Sequence, residues 1–328
     1  MKKIFTLAVV LMAALGINAQ TTCTQIRLWS GDKVVAQRDI ENIDSITFVE
    51  NAVVGPTIAN GALMNGEFSV GPGRKVHFSQ GNLQYQPYTN TWRFARYQFD
   101  YVGSANTSIS PTADWIDLFC WGTSGWNSGA NAYLPYSTSY NEDDYYVGGS
   151  ITNNLTGAYA NADWGVYNAI SNGGNKAGLW RVLTQEEWDY IINKRTNYEN
   201  LRGWGQIEGV KGMILLPDGW VCPDGVSFEY SGYKYENNTF SFDQWVTMEC
   251  NGAVFLPMAG YLSLSVNGIQ YLDNNGYGKG EYWTSTRNSN SYWVYAVTFS
   301  SNTYFNANTT SNLSGRSEGH SVRLVQDL

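Results

Sequence analysis

Histidine is nearly absent from this sequence: only His77 and His320 occur, so a metal centre built from three histidines is excluded by ligand count. Cysteine is scarce as well. Cys23, Cys120, Cys222 and Cys250 show no C-x-x-C spacing and no company of histidines, which disfavours a zinc site. They are also too sparse for a disulfide scaffold; export permits oxidation, and Cys222 with Cys250 is the first pair to examine. Charge is thin, at 15% Asp, Glu, Lys and Arg against roughly a quarter in an average soluble protein. The formal charge is −8, and an acidic surface repels phosphate backbones, so nucleic acid is a poor candidate partner. Beyond the N-terminus, no segment has the length and continuous apolarity of a membrane helix.

The N-terminus does have an apolar run. Lys2 and Lys3 precede IFTLAVVLMAALGI, which ends near the small residue Ala19 before Gln20, the layout of a cleaved secretory signal over residues 1–19. The run is shorter than the roughly 20 residues of a comfortable membrane span. TTC around Cys23 lacks the residues expected before a lipidated cysteine. The mature chain is therefore expected outside the cytoplasm, as a secreted, periplasmic or outer-surface protein, and not as an integral membrane protein.

What is abundant is glycine and aromatic area. The chain has 34 Gly, 13 Trp and 23 Tyr with 43% hydrophobic residues, ample for a core and suited to many short strands and turns. TQIRLWSGDKVVAQRDIENIDSITFV has two β-branched runs about Gly31 and Asp32, the pattern of a hairpin within residues 20–50. NAVVGPTIANGALMNG then reads as a linker over 51–65, and a main domain is expected over 66–328. Its strand candidates are FSV, KVHFS, LQYQ and TWRFA early, then MILLP, AVFLPMAGYL, GEYWTST, YWVYAVTF and SVRLV late. Apolar side chains on both faces of YWVYAVTF predict an inner strand.

Two stretches read as helical. ADWGVYNAI is followed by the glycine-rich stop SNGGN. LTQEEWDYIINKR carries a capping box at Thr184 and Glu187, and Trp188, Ile191 and Ile192 share one face. The NEDDYY stretch near residue 141 reads as a solvated acidic insertion, with a calcium loop as the less favoured alternative.

GLWRVLTQEEWDYII, EYWTST and the closing SVRLV together resemble the C-type lectin-like fold, in the branch of formylglycine-generating-enzyme-like domains and the Fibrobacter succinogenes major paralogous family of bacterial secreted proteins. FSQGNLQY, WRFA and LFCWGTSGW add to the resemblance, which covers about residues 67–325, with Val182-Leu183 where the signature has Leu-Pro. It implies an α+β domain of twisted antiparallel sheets with two helices and long loops. It further implies a ligand surface carried by irregular segments and late strands near the end of the chain. The stretch SSNTYFNANTTSNLSG resembles the variable region of retroelement-diversified proteins of this fold.

Asn and Ser supply paired donors and acceptors, and Tyr supplies stackable area with few rotatable bonds. The expected ligand contacts are accordingly Asn288, Asn290, Tyr292, Tyr304, Phe305, Asn306, Asn308, Asn312 and Arg316, for a protein or carbohydrate ligand. Calcium-dependent sugar binding would use oxygen ligands such as Asp273, Asn274 and Glu281, although Asp-Asn-Asn-Gly is also turn chemistry. The alternatives are a structural or adhesion subunit assembled through the N-terminal hairpin, and an oxidase of the formylglycine-generating type, which needs reactive cysteines. Catalysis is not the expected role: no G-x-S-x-G elbow is present, and no residue order singles out a carboxylate pair.

Overall fold

The computed structural model describes residues 25–30, 33–39, 55–230, 234–272, 278–289, 292–300 and 313–328. The predicted signal segment, Cys23, Asp273, Asn274, Asn290, Tyr304, Phe305, Asn306, Asn308 and Asn312 lie outside the described residues. The chain divides into two units at Ala52/Val53. In the first, Gln25–Ser30 and Lys33–Asp39 pair antiparallel, with a register shift at Leu28/Trp29, as the alternating β-branched pattern predicts.

The second unit is mixed α+β and built mostly of short strands. Residues 58–63, expected as linker, instead form a small strand pair, Ile58–Ala59 with Ala62–Leu63, whose second strand is buried. The early strands Phe68–Gly71 and Arg74–Phe78 form one edge of a four-stranded antiparallel sheet. Its other two strands are Leu324–Asp327, at the very end of the chain, and Arg181–Val182. The last strand thus pairs with Arg74–Phe78 on one side and Arg181–Val182 on the other.

A second four-stranded sheet has the order Thr239–Phe240, Arg202–Ile207, Val210–Leu215, Val254–Pro257, with Thr239–Phe240 parallel to its neighbour and the remaining pairs antiparallel. Val294–Ser300 is paired along both edges, with Lys279–Arg287 and Leu313–Ser314, and its apolar side chains enter two parts of the core, Val294 and Ala296 one and Val297 and Phe299 the other. Tyr261–Ser263 joins Gly268–Gln270 to the late strand Glu318–Gly319.

The LTQEEW stretch begins with helix α-type geometry over Gln185–Asp189, and both halves of the Thr184/Glu187 capping box are made. The helix then widens into a π-turn over Tyr190–Lys194, closed by the Arg195 amide donating to the Tyr190 carbonyl at 2.8 Å. ADWGVYNAI yields only the single turn Trp164–Tyr167, with Asp163 as its cap. A third helix, Phe242–Cys250, is absent from the sequence-based expectation, yet its own capping box at Ser241 and Gln244 precedes the buried Trp245, Val246 and Met248.

Indole rings fill the interior: Trp121, Trp164, Trp180, Trp188, Trp204, Trp245 and Trp283 are fully buried. Amid them lies Arg323, whose guanidinium donates to Gln98 Oε1 at 2.5 Å, while Gln98 Nε2 donates to Glu249 at 2.8 Å. Burial pushes the Arg323 pKa down to about 10. Its position in SVRLV therefore ties the last strand to the loop at residue 98 and to helix Phe242–Cys250. Cys120, Cys222 and Cys250 are free thiols, so the pairing considered for Cys222 and Cys250 is not made.

Trp188 anchors its helix against the Phe78 ring at 5.7 Å. Trp188→Ala should lower unfolding free energy by about 3–5 kcal/mol, whereas Thr184→Ala, which loses one cap, should cost about 1 kcal/mol. Urea denaturation of both variants checks the ratio.

Candidate functional site

Among the expected contacts in the described residues, Asn288 and Tyr292 lie between the strands Lys279–Arg287 and Val294–Ser300, and Arg316, just after Leu313–Ser314, reaches the Tyr292 carbonyl. Tyr292 is exposed, with 42% of its surface open, and rests against the Trp293 ring at 4.9 Å. Asn288 is half-buried; its amide donates to the Trp293 carbonyl at 3.1 Å and its side chain lies 3.4 Å from the Tyr295 hydroxyl. Arg316 differs from expectation. It is fully buried, its guanidinium carbon 4.7 Å from the Trp121 ring centre and 4.9 Å from that of Tyr146.

This arginine acts as a clamp rather than as an exposed contact. Nε donates to the Tyr292 carbonyl at 3.0 Å and Nη2 to the Ile151 carbonyl at 2.9 Å, joining two irregular segments that are distant in sequence. Burial pushes its pKa down to about 10, and the flanking rings supply part of the attraction that water would otherwise give.

The NEDDYY stretch forms the facing wall, a role its acidic composition alone does not reveal. Glu142 accepts from the Ser317 hydroxyl at 2.6 Å and from the Ser317 amide at 3.1 Å. A Cβ added at Gly315 would stand 2.4 Å from Glu142 Oε1, so a larger residue there would push the Glu142 carboxylate off Ser317. Asp144 accepts from Ser139 at 2.5 Å and Asn131 at 2.9 Å, and these bonds hold its carboxyl below its ordinary pKa. The carboxylates of this stretch thus serve as hydrogen-bond acceptors for their own loop and for the C-terminal segment.

Between these walls lies a shallow concavity of about 750 Å³, lined by Ser139, Tyr140, Asn141, Glu142, Asp143 and Tyr292. Tyr140, with 73% of its surface open, and Tyr292 present two aromatic faces beside amide and carboxylate oxygens. Such a surface suits stacking and hydrogen bonding to a neutral polar ligand.

Glu281 lies elsewhere. It is buried, with Oε2 3.0 Å from His320 Nδ1 and Oε1 accepting from Lys279 Nζ at 3.1 Å. Both carboxylate oxygens therefore face cations, an arrangement that competes with binding a metal ion. Among the described residues no cluster of three or more His, Cys, Asp and Glu is arranged to hold a metal. The His320 ring is fully buried between Trp283, at 4.1 Å, and Tyr261, at 5.8 Å, and Nε2 is 3.5 Å from Glu318. Burial opposes its charge, but Glu281 and Glu318 outweigh it and raise the pKa to about 9. Burial likewise opposes ionisation of Glu281, and His320 and Lys279 reverse this, holding its carboxyl below the ordinary range.

Comparison with protein-family models, curated proteins and solved structures finds no match to this chain.

The ion pair sets a pH window. A histidine raised from 6.5 to about 9 adds stability that is complete below its unfolded value and is lost as pH rises through about 9. At acid pH the contribution of Glu281 fades as its lowered folded pKa is crossed. The stability gap between the parent and His320→Gln should be widest near pH 6 and close above about pH 9–10, read by urea denaturation at each pH. A gap that is constant with pH would mean that the histidine has the same pKa folded as unfolded, and one that shrinks as pH falls through 6.5 would mean that it is neutral in the fold.

Proposed function

We propose that this chain is a secreted or cell-surface binding protein, non-catalytic, that presents a polar recognition surface near its C-terminus on a C-type lectin-like scaffold. The ligand is a protein or a glycan. The observation that carries the reading is the firm anchoring of the segment around Arg316: the guanidinium, Glu142 and the Glu281–His320 pair secure its framework, while Tyr140 and Tyr292 remain open at the rim. A rigid frame beneath exposed aromatic and amide groups lowers the entropy lost on binding.

The scaffold assignment is supported by the pairing of the domain's first long strands with its last strand and by the long irregular stretches between them. Export is supported by the lysine-led apolar leader. The oxidase reading is weakened by the thiols. Burial raises the pKa of Cys120, Cys222 and Cys250, and a protonated thiol is a poor nucleophile and a poor metal ligand.

The test is a Tyr140→Ala/Tyr292→Ala double variant screened with the parent against glycan and extracellular-protein arrays, followed by titration of the hits. Loss of both rings should weaken capture by about tenfold or more, each buried aromatic anchor being worth on the order of 1–2 kcal/mol, while thermal unfolding is unchanged because both side chains are exposed. Undiminished binding by a folded double variant would move the recognition surface elsewhere.

A further inference from the structure

A second concave site lies on another part of the domain, and none of its residues lines the concavity around Tyr292. Leu83–Gln86 and Thr91–Phe94 form a hairpin in which Gln84 is directly opposite Arg93. Arg93 Nε donates to Gln84 Oε1 at 2.9 Å, and its guanidinium carbon sits 3.5 Å from the Trp115 ring centre. Gln84 is buried and in turn bonds to the buried Asp117, which also accepts from Asn106 at 2.8 Å and from the Val102 amide at 2.7 Å. The guanidinium is thereby fixed in plane by a ring on its face and by a buried polar chain on its Nε.

This support uses one edge of the fork only. Among the described residues Arg93 has no hydrogen-bond partner at Nη1 or Nη2, and it lines a polar cleft of about 470 Å³, a volume within the range of small-molecule sites. Arg96 adds a second guanidinium to the lining, Gln80 and Asn172 add amides, and Asp100 adds a carboxylate. With two arginines against one carboxylate, the cleft lining is formally positive in a chain of net charge −8.

We propose that this cleft binds a small carboxylate that carries hydroxyl or amine donors beside the acid group. The carboxylate pairs in bidentate fashion with the open Nη1/Nη2 edge of Arg93, the geometry in which a guanidinium outperforms an ammonium. Asp100 and Gln80 Oε1 accept from the ligand's donors. An acidic monosaccharide and an α-amino acid share this chemistry.

The experiment titrates the full mature chain with glucuronate, N-acetylneuraminate, glutamate and, as the neutral control, glucose, followed by calorimetry and ligand-observed NMR. At least one carboxylate should saturate the site and glucose should not; whether the sugar acids or glutamate do so identifies the source. Arg93→Lys keeps the charge but loses the planar fork, and should weaken binding by about tenfold or more. Gln80→Glu, at a half-buried position, introduces a repelling charge and should weaken it similarly. If Arg93→Lys unfolds, Gln80→Glu decides. Absence of saturation by every carboxylate up to roughly 10 mM, equal binding of glucose, or full affinity in the folded variants overturns the assignment.

Discussion

The pairing of the final strand with two strands from earlier in the chain is the constraint on which the rest of this domain depends. Leu324–Asp327 bonds to Arg74–Phe78 and to Arg181–Val182, so the beginning, middle and end of the domain meet in one sheet. Such contacts bring together segments far apart in sequence and incur the full loop-closure entropy before they return any bonding. They hold because Leu324 and Val325 are buried and because Arg323, immediately before the strand, satisfies groups on Gln98 and on the Phe255 carbonyl that would otherwise lie dry.

Buried arginines recur as connectors in this molecule. Arg195 donates to the carbonyls of Ile191, Leu201 and Leu216 and to Asp218; Arg316 donates to those of Tyr292 and Ile151 between two aromatic rings. A guanidinium spreads its charge over a plane with five donors, so it can serve several backbone acceptors of irregular segments at once. In a domain with so much loop, this compensates for carbonyls that no regular sheet or helix would satisfy. The price is a desolvated charge, visible in the lowered pKa values of Arg195, Arg316 and Arg323.

Much of the fold was legible in the residue order. The short β-branched and aromatic runs between turn residues occur as strands, and the T-x-x-E box starts a helix where expected. Helix Phe242–Cys250 was legible in the same grammar, since Ser241 and Gln244 form a capping box, but its weaker apolar periodicity among aromatic-rich strands obscured it. The candidate site was legible in part. Tyr292 is open, as a tyrosine in a polar loop should be; Arg316 and Glu281 are interior because partners remote in sequence neutralise or cradle their charge. Composition marks a residue as polar and cannot say which distant carbonyl, ring or histidine will meet it.

Local chemistry by itself determined the strand and turn segmentation, the helix caps and the aromatic supply of the core, because these depend on neighbours within a few positions. The tertiary structure alone decided which polar residues became framework and which stayed open. It set Glu142 against Ser317, stacked Arg93 on Trp115 and enclosed His320 between two rings. The reason is that burial and electrostatic pairing are properties of surroundings assembled from the whole chain, and the same side chain takes opposite roles according to what closes over it.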